Sequence, residues 1–193
     1  SAFFSSELEQ FLVLSREDSS DPRTYLGSYA GAMGYPQFIP SSIRNYAVDY
    51  SNSGTRDLQE NVPNAIGSVA NYLNKFGWKK DEPITTTVSL AKLSKKNHQA
   101  LSPHIDKLKP ELNIKKLKQL GVDVHKNYKT NLDTSILAFE SQKGKQYRLG
   151  FNNFYVITRY NNSQNYALAV YLLSEKIKQE YKTAGLATEA KKV

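Results

Sequence analysis

The sequence predicts an α+β fold, a mainly helical core interrupted by a small β-containing subdomain. Two patterns carry that prediction. Apolar residues recur at helical spacing before residue 84 and again after 150, whereas β-branched alternation, first seen in Thr85-Thr86-Thr87-Val88-Ser89, falls between them. The composition also shifts there, turning lysine-rich over 92–130. Residues 1–84 therefore read as helical core, 85–149 as an inserted α/β subdomain and 150–182 as helices returning to the core. Residues 183–193 read as a basic, disordered tail. With 193 residues, the chain is long enough to bury such a core.

Each element has a local reason. Ser6-Glu7-Leu8-Glu9 fits a capping box, and Leu8, Phe11 and Leu12 then recur at helical spacing, giving a first helix over about 7–16. The acidic, proline-containing stretch 17–22 is a loop. Pro40 opens a second helix with Ile43, Tyr46, Ala47 and Tyr50 on its buried face. Pro63 opens a third, with Ile66, Val69, Ala70 and Leu73 inward, and Gly77 closes it. Past the 85–89 strand, a helical piece around 114–120 ends at Gly121. Two short strands, 135–140 and 146–149, are joined by Lys143-Gly144. Asn152 or Asn153 caps a helix running to Tyr160. Ser163 caps a longer one over 164–181, with Ala167, Val170, Tyr171, Ser174 and Ile177 along one side.

Composition narrows the function classes. The chain has no cysteine, which excludes disulfides, thiolate catalysis and cysteine-built zinc sites. It has no apolar run long enough for a membrane-spanning helix. The net charge of +8 favours anionic partners: nucleic acid, anionic lipid or a carboxylate-bearing cell wall. Lysines gather between Lys107 and Lys129 and again from Lys176 to Lys192, but no helix-turn-helix, zinc-finger or RNA-recognition signature accompanies them. A solvated face is the commoner reading of a run such as Lys115-Lys116-Leu117-Lys118. His98, His104 and His125 lack metal-ligand spacing and receive no role.

The most informative stretch is Gly27-Ser28-Tyr29-Ala30-Gly31-Ala32-Met33-Gly34-Tyr35-Pro36-Gln37-Phe38-Ile39-Pro40-Ser41-Ser42. Its glycines let backbone approach backbone or ligand where a Cβ would collide. Tyr29, Tyr35 and Phe38 offer flat apolar faces suited to sugar rings, and Gln37 contributes one amide. A tight corner between helices, with small residues at a packing contact, is the plainer alternative. No acidic residue lies inside the run. Glu7, Glu9 and Glu17 fall on an exposed helix and its trailing loop, Glu60 in the loop described next, and Glu140 at a strand end.

Residues 49–60 have the length and form of an EF-hand loop. Oxygen ligands would come from Asp49, Ser51, Ser53, the Thr55 carbonyl, Asp57 and a bidentate Glu60, with Gly54 at the turn. Serine stands at two positions where a carboxylate or amide would bind harder, and Arg56 stands where an apolar residue normally pins the loop. Two readings stay open: a weak calcium or sodium site, or a structural turn keeping that geometry.

The 27–42 run is similar to the active-site segment of the lytic murein transglycosylase B family, bacterial lysozyme-like enzymes that cleave peptidoglycan. The similarity continues through Tyr46-Ala47-Val48-Asp49-Tyr50 and Ala65-Ile66-Gly67-Ser68-Val69-Ala70-Asn71-Tyr72. It returns at Asn153-Phe154-Tyr155-Val156-Ile157-Thr158-Arg159-Tyr160-Asn161 and Tyr166-Ala167-Leu168-Ala169-Val170. Residues 1–84 and 150–180 resemble the family, and 85–149 match it poorly.

The resemblance implies a lysozyme-like core and a single glutamate acting first as acid and then as base. It splits the bond between N-acetylmuramic acid and N-acetylglucosamine while the muramic 6-hydroxyl closes a 1,6-anhydro ring. That glutamate lies upstream of the segment that Ser1-Ala2-Phe3-Phe4 resembles, so the chain is expected to be an inactive C-terminal fragment of the enzyme. By resemblance Ser28 sits near the acid and Gln37 holds a sugar N-acetyl or hydroxyl group. Met33 and Tyr35 line the groove floor, and Tyr72, Tyr160 and Tyr166 its walls. Without the resemblance, Ser28 reads equally as a turn hydroxyl, Gln37 as an exposed amide, and Met33, Tyr72 and Tyr166 as core. The family carries the 49–60 loop and requires no cofactor, calcium or sodium there being structural. The implied partner is the peptidoglycan glycan strand and not nucleic acid. The implied setting is a monomer in the Gram-negative periplasm, anchored to the outer membrane through the missing N-terminal region. A non-catalytic glycan-binding module and a basic nucleic-acid-binding domain are the rival readings.

Overall fold

A computed structural model describes residues 2–124, 126–142 and 144–185. His125, Lys143 and tail residues 186–193, read from the sequence above, lie outside the described residues. Two compact units divide the chain, Ser1–Phe76 and Gly77–Val193. Among the described residues, seven α-helices and one four-stranded antiparallel sheet make the fold α+β, as the sequence predicts. No described helix is long and apolar enough to cross a membrane.

The first unit holds α1 (Ala2–Glu17), α2 (Pro40–Tyr46) and α3 (Val62–Lys75). Helix α1 begins before Ser6, so the capping box does not form. Near its far end, Leu14 is fully buried. Arg44 of α2 reaches back to Glu17 at 2.6 Å and to the Gln10 side chain. Helix α2 ends at Tyr46, which leaves Tyr50 exposed.

Helix α3 turns a different face inward from the one its apolar residues mark. Ile66 is exposed, and the buried positions are Asn64, Ala65, Gly67, Ser68 and Tyr72. The cause is hydrogen bonding. Asn64 Oδ1 accepts the Ser51 N–H at 2.9 Å, and Ser68 Oγ accepts the Val48 N–H at 3.0 Å. The neighbouring loop backbone needs acceptors as it goes out of water, and α3 supplies them. Gly67 allows the approach, since a Cβ there would sit 2.5 Å from Tyr50 Cβ.

In the second unit the strands are β1 (Thr85–Val88), β2 (Leu112–Asn113), β3 (Asp133–Ser141) and β4 (Gly144–Gly150), in sheet order β1-β4-β3-β2. Strand β3 is buried on both faces. Ile136 joins Val88, Leu149 and Phe151 in one cluster, covered by Leu101 of α4 (Lys95–Leu101) and by Ile114 and Leu117 of α5 (Ile114–Gln119). Leu137 and Phe139 face the other way, onto Phe154 and Ile157 of α6 (Asn152–Tyr160) and Ala167 of α7 (Gln164–Thr183).

The sequence boundary after residue 84 thus falls inside this unit. The buried Asn153 side chain is the fastening: it accepts the Lys79 N–H at 2.9 Å and donates to the Lys79 carbonyl at 2.7 Å. Helix α7 starts at its Ser163 cap, where Ser163 Oγ accepts the Tyr166 N–H at 3.2 Å. Only Ala167 of its expected inward stripe is buried; Val170 and Ile177 are exposed. The helix includes Thr183, so the tail reading does not hold at that residue.

Candidate functional site

The 27–42 segment is a compact knot of turns. Met33 and Phe38 exchange both backbone hydrogen bonds, at 2.8 and 3.1 Å, and Ser28 N–H donates to the Ala32 carbonyl at 2.8 Å. Gly34 has φ +66°, and a Cβ there would stand 2.5 Å from the Leu58 carbonyl oxygen, so only glycine fits. The adjoining Tyr35 N–H donates to that same carbonyl at 2.8 Å and ties the knot to the 49–60 loop.

Gln37 has φ +52°, a left-handed conformation that costs a non-glycine residue about 1–2 kcal/mol. Its Nε2 donates to the Gly34 carbonyl at 2.9 Å, fixing an exposed amide on the rim of the knot. Tyr35 is exposed as well, at 64%. Met33 is buried. Ser28 is exposed, and its Oγ accepts the Ala32 N–H at 3.1 Å, leaving the hydroxyl proton available for donation.

A hollow of about 310 Å³ opens beside the knot, lined among others by Phe4, Glu7, Phe11, Ser28, Tyr29 and Met33. Glu7 is the acidic residue of that lining, and sequence reasoning misplaced it. It is 9% exposed, and its Oε2 accepts the Ser41 N–H at 3.0 Å in the first turn of α2. The unfilled N–H groups of a helix start were the available signal, but nothing in the sequence paired them with Glu7.

The other expected residues fall partly in each unit. Tyr72 is 7% exposed and packs with Phe38, Tyr46 and Phe76, its centroid 5.6 Å from Phe38 and 4.5 Å from Phe76. It supports the knot from within and presents no open face. Tyr160 and Tyr166, in the second unit, lie parallel at 6.4 Å between centroids and 12° between planes. Both are half-buried, and burial raises the Tyr166 phenol above its usual pKa.

The candidate ion ligands gather in the first unit, and Asp49, Ser51, Thr55 and Asp57 already accept from protein donors. Asp49 Oδ1 accepts the Ser53 N–H at 2.9 Å and Oδ2 the Gly54 N–H at 2.7 Å, holding this carboxyl below its usual range. Asn61 Nδ2 donates to Ser51 Oγ at 2.9 Å, and Asn64 Nδ2 to the Thr55 carbonyl at 2.9 Å. Asp57 Oδ1 accepts the Gln59 and Glu60 N–H groups at 2.8 and 3.1 Å, and Ser53 Oγ bridges Asp49 Oδ1 and the Thr55 carbonyl. Arg56 points away, to Asp18 at 3.2 Å and Glu17 at 3.9 Å. No group of three or more metal-ligating His, Cys, Asp or Glu is assembled among the described residues.

Comparison with known proteins gives a consistent picture. The family profile described as the transglycosylase SLT domain matches residues 1–175. Over 176 residues the chain is 40% identical to membrane-bound lytic murein transglycosylase B of Escherichia coli K12, covering 91% of this chain and 46% of that protein. The solved lytic transglycosylase Slt35 of Escherichia coli, in complex with calcium, superposes at a TM-score of 0.80 with 37% identity, over 93% of this chain and 54% of its own. SltB3 of Pseudomonas aeruginosa, in complex with NAG-anhNAM-pentapeptide, gives 0.75 at 31% identity, over 90% and 45%. The chain therefore spans about half the length of these relatives.

Proposed function

Because the chain belongs to the transglycosylase SLT family, we propose that it is part of a peptidoglycan lytic transglycosylase. The reaction is cleavage of the N-acetylmuramic acid–β-1,4–N-acetylglucosamine bond without water, leaving 1,6-anhydro ends. The observation that carries this reading is Gln37, a strained, exposed amide fixed beside Gly34 on the rim of the knot. Strain of this kind persists only where the surroundings enforce it, and it concentrates at ligand clamps.

In this reading Gln37 offers its carbonyl oxygen to a sugar N-acetyl or hydroxyl group. Ser28 donates its hydroxyl proton near the leaving oxygen. Tyr35 stacks on a sugar ring above Met33. Tyr160 and Tyr166, stacked on each other in the second unit, offer an aromatic surface of their own for a sugar, and Tyr72 holds Phe38 in place behind the knot. The acid is supplied from outside residues 1–193. The protein acts on glycan strands in the periplasm as a monomer, anchored to the outer membrane.

The 49–60 loop suits a required ion poorly, since the Asp49, Ser51 and Thr55 oxygens already accept from protein donors and two of the ligand positions are neutral serines. It serves as a structural turn, taking calcium or sodium weakly, and no step of the reaction runs through an ion.

A second reading, that residues 1–193 alone bind glycan without cutting it, is favoured by Glu7. The acidic residue that lines the same hollow as Ser28 is tied to the Ser41 N–H. Digestion of purified sacculi tests where the acid lies, on which both readings agree. This chain alone should bind them and release no 1,6-anhydro-muropeptides. Robust release would assign the acid to a carboxylate within the chain, Glu7 first.

A further inference from the structure

The net charge of the chain is concentrated in one place. Residues 85–149 hold 13 Lys and Arg against five Asp and Glu, a formal +8, while the rest of the chain is balanced. The family profile runs through this segment as through the rest of residues 1–175.

The fold puts six of these lysines on the α4–α5 side of the sheet. Helices α4 and α5 bury Leu101, Ile114 and Leu117 in the cluster over β3, leaving Lys95, Lys96, Lys115, Lys116 and Lys118 exposed. Asn97 Nδ2 donates to the Leu120 carbonyl at 3.0 Å and joins α4 to the end of α5. Lys115 N–H donates to the Thr130 carbonyl at 2.9 Å, which brings the turn bearing Lys129 against the start of α5. None of these six lysines makes an ion pair among the described residues; in this segment the pairs are His104–Glu111 and Lys145–Glu140, each at 3.9 Å.

The chemistry of the surface selects its partner. All but one of the 13 cations are lysine, a hydrated point charge suited to a diffuse field, whereas phosphate recognition favours the arginine fork. Its nearby aromatics are engaged: Tyr128 packs on Phe151 at 4.8 Å, so no stacking platform for bases is presented there. No large apolar side chain of 85–149 is exposed among the described residues, which gives the surface nothing to insert into a bilayer. A flexible polymer of carboxylates is what remains.

We propose that the lysine face of α4 and α5 docks the peptide-stem carboxylates of peptidoglycan, holding the wall by charge apart from any contact with the sugars. This rests on the reading that the protein works on the cell wall. It assigns a retention role to the sheet-bearing segment between the two helical parts of the chain.

Co-sedimentation of the 193-residue chain with purified sacculi tests it, with insoluble chitin as a neutral glycan. Raising salt from 0.1 to 1 M shortens the screening length from about 10 to about 3 Å, and sacculus binding should fall by about tenfold or more. The triple variant Lys115→Gln, Lys116→Gln, Lys118→Gln should lose affinity to a similar degree, and Lys95→Gln with Lys96→Gln should lose part of it. Sacculi whose carboxyls are blocked by carbodiimide coupling to a neutral amine should bind wild type no better than the triple variant. Chitin binding should stay unchanged in every variant. Sacculus binding indifferent to salt, to the lysines and to carboxyl blocking overturns the proposal and leaves the glycan reading standing. Lysine-dependent sacculus binding with no chitin binding supports the docking surface while removing the glycan reading. Equal lysine-dependent binding to DNA or to anionic phospholipid vesicles overturns the assignment to carboxylates.

Discussion

The carboxylate of Glu7, on α1, accepts the backbone N–H of Ser41, at the start of α2, across 34 positions of sequence at 3.0 Å. Helix α2 follows directly on the knot that carries Gln37, so this bond fixes where the knot ends. Glu7→Ala leaves the Ser41 N–H without its acceptor and should destabilise the chain by about 1–3 kcal/mol in urea unfolding. Glu7→Gln keeps an acceptor oxygen and should recover most of that loss. Equal stability of wild type and both variants would show that the contact contributes nothing.

Gln37 separates strain from binding. Gln37→Gly removes the cost of a left-handed side-chain-bearing residue, so thermal stability should stay level or rise by up to about 1 kcal/mol. Glycan affinity should fall at the same time, because the amide is gone. A clear loss of stability would mark Gln37 as a packing residue.

Gly34→Ala should behave in the opposite way. Its Cβ would meet the Leu58 carbonyl oxygen at 2.5 Å, in a backbone region that alanine adopts poorly. A loss above about 2 kcal/mol is expected, with the Tyr35–Leu58 bond broken as the knot shifts. Wild-type stability would mean that the knot has room to relax.

The 49–60 loop should be nearly indifferent to calcium. A micromolar site at a thousandfold excess of ion would add about 4 kcal/mol, a shift that a melting curve cannot miss. A negligible shift is expected here. Arg56→Leu should cost less than about 1 kcal/mol, because its pairs with Asp18 and Glu17 are partly exposed. A large calcium-dependent rise in melting temperature would overturn the structural-turn reading.

Acid should weaken the first unit through particular carboxylates. A hydrogen bond from Arg44 holds Glu17 below the usual range, one from Arg23 does so for Asp21, and the Ser53 N–H does so for Asp49. Each folded pKa is depressed, so the unfolded state takes up protons first as pH falls. The contribution is complete above the ordinary carboxylate range near pH 4 and disappears as pH drops through the lower folded values. Unfolding free energy followed from pH 6 to pH 2 should fall in that window, and Arg44→Gln should flatten the fall.

Much of the fold was legible because local signals and burial agree. Alternation marked β1, Gly121 marked the end of α5, and Ser163 marked the start of α7. The inward face of α3 was not legible. Asn64 and Ser68 are buried to satisfy the N–H groups of Ser51 and Val48, a demand that apolar periodicity does not register. Glu7 was missed for the same reason. At the site, glycine placement pointed to the knot, but neither the φ of Gln37 nor the enclosure of Tyr72 by Phe38, Tyr46 and Phe76 is written in spacing.

The most direct test of the central claim is calorimetric titration of this chain with a soluble N-acetylglucosamine–N-acetylmuramic acid oligosaccharide, for wild type and Gln37→Ala. The account predicts measurable binding to wild type. In the variant the affinity should fall about tenfold, the loss of a hydrogen bond worth roughly 1.4 kcal/mol, with folding stability unchanged within about 1 kcal/mol. Absence of binding to wild type, or an affinity that Gln37→Ala leaves untouched, would contradict it.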